Sequence, residues 1–295
     1  MRRSEPDVVH LHSAVAGWVG RLAARGLGCR VLYSPHAFPF LRDVTAPPRR
    51  VYEGAERVAA RWTDLLVALS QAEARLAVEL GLLPEERVSV LENAVDLPAL
   101  ESEVGPMPPI RSPEGQRVFG LVGALRAQKA PLLLLDAARR ARAGGVRARY
   151  VLPSTGPDLA RVKRAVREYG LHGIVDFAPA ENGLAELYRR IDVGVLPSLW
   201  EGLPYTLLET TGLGRPLIAS DLPVFQDFLR PLDARLLFQR GDAEALARCI
   251  ALWAGLPSEV LEDVGRRGRS QVARDHALPE WANALQALYR PGDRP

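Results

Sequence analysis

The sequence predicts an α/β protein in which two doubly wound parallel-sheet domains follow one another along the chain. Two observations predict it. Short apolar runs rich in Val, Leu and Ile alternate with longer stretches of helical period, the pattern of parallel strands joined by crossover helices, and a proline-rich interval divides that alternation in two. A third sets the scale: 295 residues, 47% of them hydrophobic, can bury one large or two ordinary cores.

In the first part, VVHLH at 8–12, RVLYS at 30–34, LLVALS at 65–70 and VSVL at 88–91 read as buried strands, with helices in the gaps. The best marked helix starts at Ser70, an N-cap whose bond Glu73 is expected to return in a capping box, and Gly81 closes it. From 96 to 116 the prolines and the lack of periodicity deny helix and strand, so 101–116 is expected to be a linker. The alternation then restarts with VFGLV at 118–122, RYVL at 149–152, IVDFA at 174–178, VGVLP at 193–197, PLIAS at 216–220 and RLLF at 235–238. Ala243 to Tyr289 is almost wholly helical in pattern, with Pro257 and Pro279 near helix starts.

The charge balance, 38 basic against 35 acidic residues, suits an anionic small molecule or an anionic membrane surface and not nucleic acid. Only Cys29 and Cys249 are present, without metal-ligand spacing, which supports neither a disulfide framework nor a zinc site and makes a cytoplasmic protein the expectation. The opening MRRSEPDVV lacks the apolar run of a signal peptide. Pro47–Trp62, with Arg49, Arg50, Arg57 and Arg61 among Val51 and Val58, is a basic amphipathic helix. It can lie on anionic lipid or cover its own sheet, so peripheral contact with the inner face of a membrane stays open.

Open α/β sheets bind ligands beyond the carboxyl ends of their strands. The densest such loop follows VGVLP and runs from Ser198 to Glu209; Gly202 and Pro204 form its turn, and the helix it opens offers free N–H groups to an anion. Glu201 and Glu209 can accept from sugar and ribose hydroxyls, although spacing by itself also describes a capping glutamate and a solvated one.

Residues 192–221, DVGVLPSLWEGLPYTLLETTGLGRPLIASD, resemble the signature of the retaining GT-B glycosyltransferases of family four, Glu, seven residues, Glu, which Glu201 and Glu209 match. LVGALRAQKAPLLLLDAA at 121–138 resembles the family's donor-phosphate loop, VSVLENAVDL at 88–97 its interdomain strand and turn, and DVVHLH with YSPHAF its acceptor-lobe strands. The resemblance implies a GT-B-like fold, two Rossmann-like domains facing across a cleft with the first incomplete. It places a truncated acceptor lobe at 1–100, a nucleotide-sugar-binding domain at 117–276 and, at 277–295, a C-terminal helix that packs back toward the first lobe.

The activity implied is transfer of a sugar from a nucleoside-diphosphate donor, of UDP or GDP type, to a glycan, lipid or small-molecule acceptor, with retention and without metal or other cofactor. By the same resemblance Glu201 contacts the transferred sugar, Glu209 the ribose, Lys129 the diphosphate and His36 the donor sugar, so Glu201, His36 and Lys129 are the expected catalytic residues. Lys129, Arg126, Gly123, Glu209, Gly202, Leu203, Pro204 and Tyr205 are the expected donor-binding residues.

The sequence departs from the family at Ala124, where arginine is usual, with Arg126 near enough to substitute, and at Ser154-Thr155-Gly156, where Gly-x-Gly is usual. The strand DVVHLH begins almost at Met1, so the first lobe is short. A minimal enzyme, a chain whose true start lies upstream, and a relative that binds sugar nucleotide without transferring it all fit. The rival reading is therefore a non-catalytic sugar-nucleotide-binding protein or an incomplete fragment of a glycosyltransferase. His10 and His12 share one face of their strand; His12 is the one expected at the strand end, while His172 and His276 are expected in exposed polar surroundings.

Overall fold

The computed structural model describes residues 5–41, 46–111, 116–179 and 183–290, so parts of the expected first domain, linker and C-terminal segment, at 1–4, 42–45, 112–115 and 291–295, lie outside the described residues. The chain forms two compact units. The first comprises Met1–Asn93, Trp200–Leu203 and Pro279–Pro295, and the second Ala94–Leu199 and Pro204–Leu278.

In the first unit β1 (Val8–His12), β2 (Arg30–Ser34), β3 (Leu65–Ala68) and β4 (Val88–Val90) pair in parallel in that order. They are joined by α1 (Ala14–Ala23), α2 (Ala46–Ala60) and α3 (Gln71–Glu79). Val9, Leu11, Val31, Tyr33, Leu66 and Ala68 supply one buried face of the sheet, each large apolar side chain contributing roughly 1.5–3 kcal/mol on full burial. Leu32, Leu65 and Val67 form the other, against Leu288 and Tyr289 of α12 (Leu278–Tyr289). Ser70 caps α3 as expected, its hydroxyl accepting from the Glu73 amide at 3.1 Å. At the far end Gly81 (φ 62°) donates to Val78 O and Leu82 to Ala77 O, the paired bonds that end a helix at a left-handed glycine.

The second unit holds β5 (Val118–Leu121), β6 (Arg149–Pro153), β7 (Val175–Ala178), β8 (Val193–Leu196), β9 (Leu217–Ser220) and β10 (Leu237–Phe238) in one parallel sheet, ordered β10-β9-β8-β5-β6-β7. The chain fills the sheet outward from β5 in one direction, then returns to place β8 on the other side of β5. That reversal is the topological switch point, where open sheets of this kind leave a ligand crevice. Its helices are α4 (Leu97–Val104), α5 (Pro131–Ala143), α6 (Leu159–Glu168), α7 (Gly183–Arg190), α8 (Tyr205–Gly212), α9 (Pro223–Leu229), α10 (Ala243–Gly255) and α11 (Ser258–Asp275).

Helix α4 corrects the expectation that 96–116 lacks regular structure. Asp96 caps it by accepting from the Ala99 amide at 3.1 Å, Pro98 sits in the first turn where its missing N–H costs nothing, and Leu97 and Val104 are buried. Beyond it the chain is anchored: Arg111 donates from both its amide and its guanidinium to buried Asp192, and Arg215 donates to Pro108 O. No helix among the described residues is long and apolar enough to cross a membrane.

Candidate functional site

Two loops of the second unit flank the switch point, one leaving β5 and one leaving β8. The β5 loop turns at Gly123, whose φ of 108° a side chain would resist, and passes through a short 3-10 turn, Ala127–Lys129, into α5. A Cβ placed on Gly123 would lie 3.5 Å from Lys129 Cε, 4.0 Å from its Nζ and 3.6 Å from Thr206 Cγ2. A side-chain-free backbone position, a lysine ammonium and the first turn of α8 therefore converge. Pro204 precedes that helix as its N-cap, one position earlier than a first-turn proline, and no side chain caps the end. The end is left with amide N–H groups and the positive pole of the helix dipole, an arrangement suited to a phosphate.

The loops are pinned on both sides. Leu199 N donates to Gln128 O at 2.9 Å while Leu199 O accepts from Arg240 at 3.0 Å. Gly156, at φ 122°, brings the β6 loop against the β5 loop so closely that a Cβ there would stand 2.3 Å from Leu125 O, and Leu125 N donates to Thr155 O. The glycine of Ser154-Thr155-Gly156 thus serves the approach of two loops. Arg126 is exposed and Ala124 half-buried on the same loop, and Tyr205 is exposed at the start of α8.

One turn and more along α8, Glu209 accepts a 2.5 Å hydrogen bond from the Tyr188 hydroxyl of α7. Tyr188 is buried, and burial first, then the Glu209 charge, push its phenol well above the usual range, so it remains a donor at any working pH. The same helix supplies Leu184 and Leu187 to a cavity of about 120 Å³ lined also by Pro153, Ser154, Thr155 and Ala178. A carboxylate in fixed orientation and a narrow, mainly apolar slot are thus tied to one helix.

In the first unit a ladder of imidazoles runs along the carboxyl ends of β1 and β2. His12 Nδ1 and His36 Nε2 are 2.8 Å apart, and the His10 and His12 rings have centroids 4.2 Å apart. His10 lies 2.8 Å from Tyr289 Oη through Nδ1 and 3.0 Å from Ser34 Oγ through Nε2. Ser34 spends its proton on Val67 O, so it accepts from His10, and the neutral His10 carries its proton on Nε2 and accepts from Tyr289. Burial, then the neighbouring His12 and His36, push the His10 pKa down to about 4; burial also lowers those of His12 and His36, the latter aided by His12. Among the described residues no group of three or more His, Cys, Asp or Glu is arranged to hold a metal.

His36 follows β2 in a left-handed turn, with φ 53° at His36 and 74° at Ala37. Against that turn lies Gly202, where a Cβ would be 3.2 Å from Ala37 N and 3.5 Å from Leu69 Cδ1; Asn93 donates to Leu203 O at 2.6 Å. The four residues that carry Glu201 are thus held by the ends of β2, β3 and β4. Glu201, Gly202, Leu203 and His36 fall in the first unit, and Gly123, Arg126, Lys129, Pro204, Tyr205 and Glu209 in the second.

Two expectations need correction. His276 is buried at 3% exposure and packs its ring 5.5 Å from Phe228, because the end of α11 turns it inward while its charged neighbours face out. Glu73 does not return the Ser70 bond: its carboxylate accepts instead from Leu69 N at 2.8 Å and Ala37 N at 2.9 Å. Sequence reasoning missed Tyr188, Asn93, Thr206 and this second use of Glu73. Asn93 lay inside the quoted VSVLENAVDL, and Glu73 inside the capping box; nothing local marked Tyr188 or Thr206.

The family described as "Glycosyl transferases group 1" matches residues 107–271, and that described as "Glycosyltransferase Family 4" matches residues 1–98. An Escherichia coli protein, UDP-Gal:alpha-D-GlcNAc-diphosphoundecaprenol alpha-1,3-galactosyltransferase, is 29% identical over 298 residues, covering 98% of this chain and 76% of its own length. A D-inositol 3-phosphate glycosyltransferase of Mycolicibacterium smegmatis is 28% identical over 302 residues, covering 96% of this chain and 66% of its own. The chain therefore spans only part of the length of either relative. The structure of Anabaena HepE in complex with UDP and glucose superposes with a TM-score of 0.76 at 16% identity, over 97% of this chain and 78% of that one, a likeness of fold.

Proposed function

Because the chain belongs to the glycosyl transferases group 1, with the GT-B fold of that family, we propose that it moves a sugar from a nucleoside-diphosphate donor to a glycan or lipid acceptor, with retention at the anomeric carbon. The observation that carries the proposal is the convergence of Lys129, Gly123 and the first turn of α8 at the switch point of the second sheet. When the bond from the sugar's anomeric carbon to the diphosphate oxygen breaks, the departing group gains charge. A preorganised ammonium and a helix N-terminus stabilise that charge more in the transition state than in the ground state, which is what accelerates transfer.

In this reading Glu209, oriented by Tyr188, accepts from the ribose hydroxyls, and the cavity beside Leu184 and Leu187 takes the base. Glu201 and His36 orient the sugar, and Arg126 stands in for the arginine that Ala124 replaces. UDP is the nucleotide to try first, since the E. coli relative's name specifies UDP-Gal and the Anabaena structure holds UDP. The E. coli name also specifies an acceptor on a lipid diphosphate. A lipid acceptor, and with it contact with an anionic membrane, fits the exposed Val15, Val19 and Leu22 of α1 and the exposed Val51 and Val58 of α2, beside the arginines of α2.

Calorimetric binding of UDP, GDP and ADP, each with and without EDTA, tests the proposal. UDP is expected to bind without metal, and Glu209→Ala to weaken it by about 1–3 kcal/mol, the worth of a charge-assisted bond. A well-folded chain that binds none of the three would overturn the donor site.

A further inference from the structure

Glu73 lies 4% exposed beneath the loops at the carboxyl ends of β2 and β3. Its position in α3 would suit a reciprocal cap, in which a glutamate at the third helical position bonds back to the N-cap amide. Here the carboxylate reaches one residue further back with one oxygen, to Leu69 N, and 36 residues back along the chain with the other, to Ala37 N. The cost is visible in its pKa, which burial pushes up to about 7 against the opposing pull of those two N–H groups.

The turn it holds is a strained one. His36 and Ala37 both have positive φ, and neither is a glycine, a combination that is strained and persists only where the surroundings over-determine it. Downstream of the tie are the 2.8 Å contact of His36 Nε2 with His12 Nδ1 and the seat of Gly202, one residue from Glu201, on the Ala37 amide.

We infer that Glu73 is a positioning residue of the transfer site: by gripping the Ala37 and Leu69 amides with one carboxylate it sets the left-handed turn that presents His36 and seats the segment carrying Glu201. The inference rests on the functional roles proposed above for His36 and Glu201, but its physical content, that one buried carboxylate fixes the His36 turn, does not. Glu73→Gln is the direct probe, because a carboxamide of the same shape accepts through one oxygen only and turns an NH2 toward the other amide.

In the full chain, NMR of the Glu73→Gln protein is expected to show displaced ring signals for His36 and His12, with amide exchange at Ala37 and Leu69 at least about 10-fold faster, as for a lost hydrogen bond of roughly 1.4 kcal/mol. Ser70→Ala removes a different bond at the start of the same helix. It is expected to lower the melting temperature while leaving those ring signals in place, which separates positioning from helix stability. Glu73→Asp, whose carboxylate is one methylene too short to reach both amides unless the turn moves, is the second variant if the glutamine protein does not fold. Unmoved His36 signals in a folded Glu73 variant, or equal displacement by Ser70→Ala, would sink the inference. A His36→Ala protein that still releases UDP from UDP-galactose at the wild-type rate would instead sink the role proposed for His36 and leave the Glu73 result standing.

Discussion

In the first unit a buried carboxylate, Glu73, sits at the carboxyl ends of the strands, beneath the loops that carry His36. In the second unit the fully buried charges, Asp192 and Arg117, sit at the amino ends instead. Asp192, just before β8, accepts from Val118 N and from Arg111; Arg117, just before β5, donates to Trp253 O and Leu256 O at the end of α10. The two sheets differ in strand order as well. The second reverses its strand order, and that reversal by itself opens room for Lys129 and α8. The four described strands of the first sheet run β1 to β4 in chain order, and there a polar tie holds the strained turn. Buried charge far from the ligand end serves stability, whereas at the ligand end it serves geometry.

The largest effect is expected where charge is buried away from either strand end. Arg21 and Glu56 pair at 2.8 Å at 2% and 1% exposure, with Arg21 stacked 3.8 Å over the Tyr33 ring. Arg21→Ala should cost about 3–5 kcal/mol in urea unfolding, since it strands a buried carboxylate, and Arg21→Met with Glu56→Leu should recover part of it, because Glu56 also accepts from Trp18 Nε1 and the Tyr33 hydroxyl. If the double variant is no better, the pair does more than balance its own charge.

Asp192→Ala sharpens the comparison directly. It should lose about 1–3 kcal/mol by orphaning the Val118 amide and releasing Arg111, yet keep wild-type affinity for UDP. Weakened UDP binding in a folded protein would mean that amino-end charge is not confined to stability.

Mild acidification bears on the imidazole ladder of the first unit. The folded pKa of His10 lies below its unfolded value of 6.5, at about 4, so below pH 6.5 the unfolded chain gains a proton the folded chain resists. That part of the stability is complete above pH 6.5 and is lost as pH falls toward 4. The groups that act on His10 are His12, His36, Ser34 and Tyr289. Glu73, pushed up to about 7, takes up a proton in the folded chain over the same range and opposes this loss, so the His10 part is read by difference: the step from pH 7 to pH 5 should cost His10→Gln less melting temperature than it costs the wild type, modestly because the ring is partly exposed. Smallest of all, Arg269→Ala breaks an exposed pair with Glu101, at 54% and 39% exposure, and should change stability by less than about 1 kcal/mol.

The strands were legible because most are short runs dominated by Val, Leu and Ile, as buried parallel strands are; the ten expected runs overlap the ten strands of the described residues. Helix α4 was not, because five prolines in the interval 96–116 outweighed the Asp96 cap that starts it. Resemblance picked out the residues of the candidate site, and local pattern could not say what fixes them. Tyr188 and Glu209 are 21 residues apart on different helices, and Glu73 meets Ala37 only because β2 and β3 are neighbours. Such ties depend on strand order, which local periodicity does not encode.

The first unit is assembled from three separate stretches of chain, the middle one only Trp200–Leu203. For anyone who would exchange modules between members of this family, the consequence is a rule about crossover points. A single junction after Asn93 leaves behind the four-residue insert and the closing helix with its Tyr289 anchor. A recombinant that keeps the first unit whole needs three donor segments, and one built from two should be judged first by whether its imidazole ladder survives.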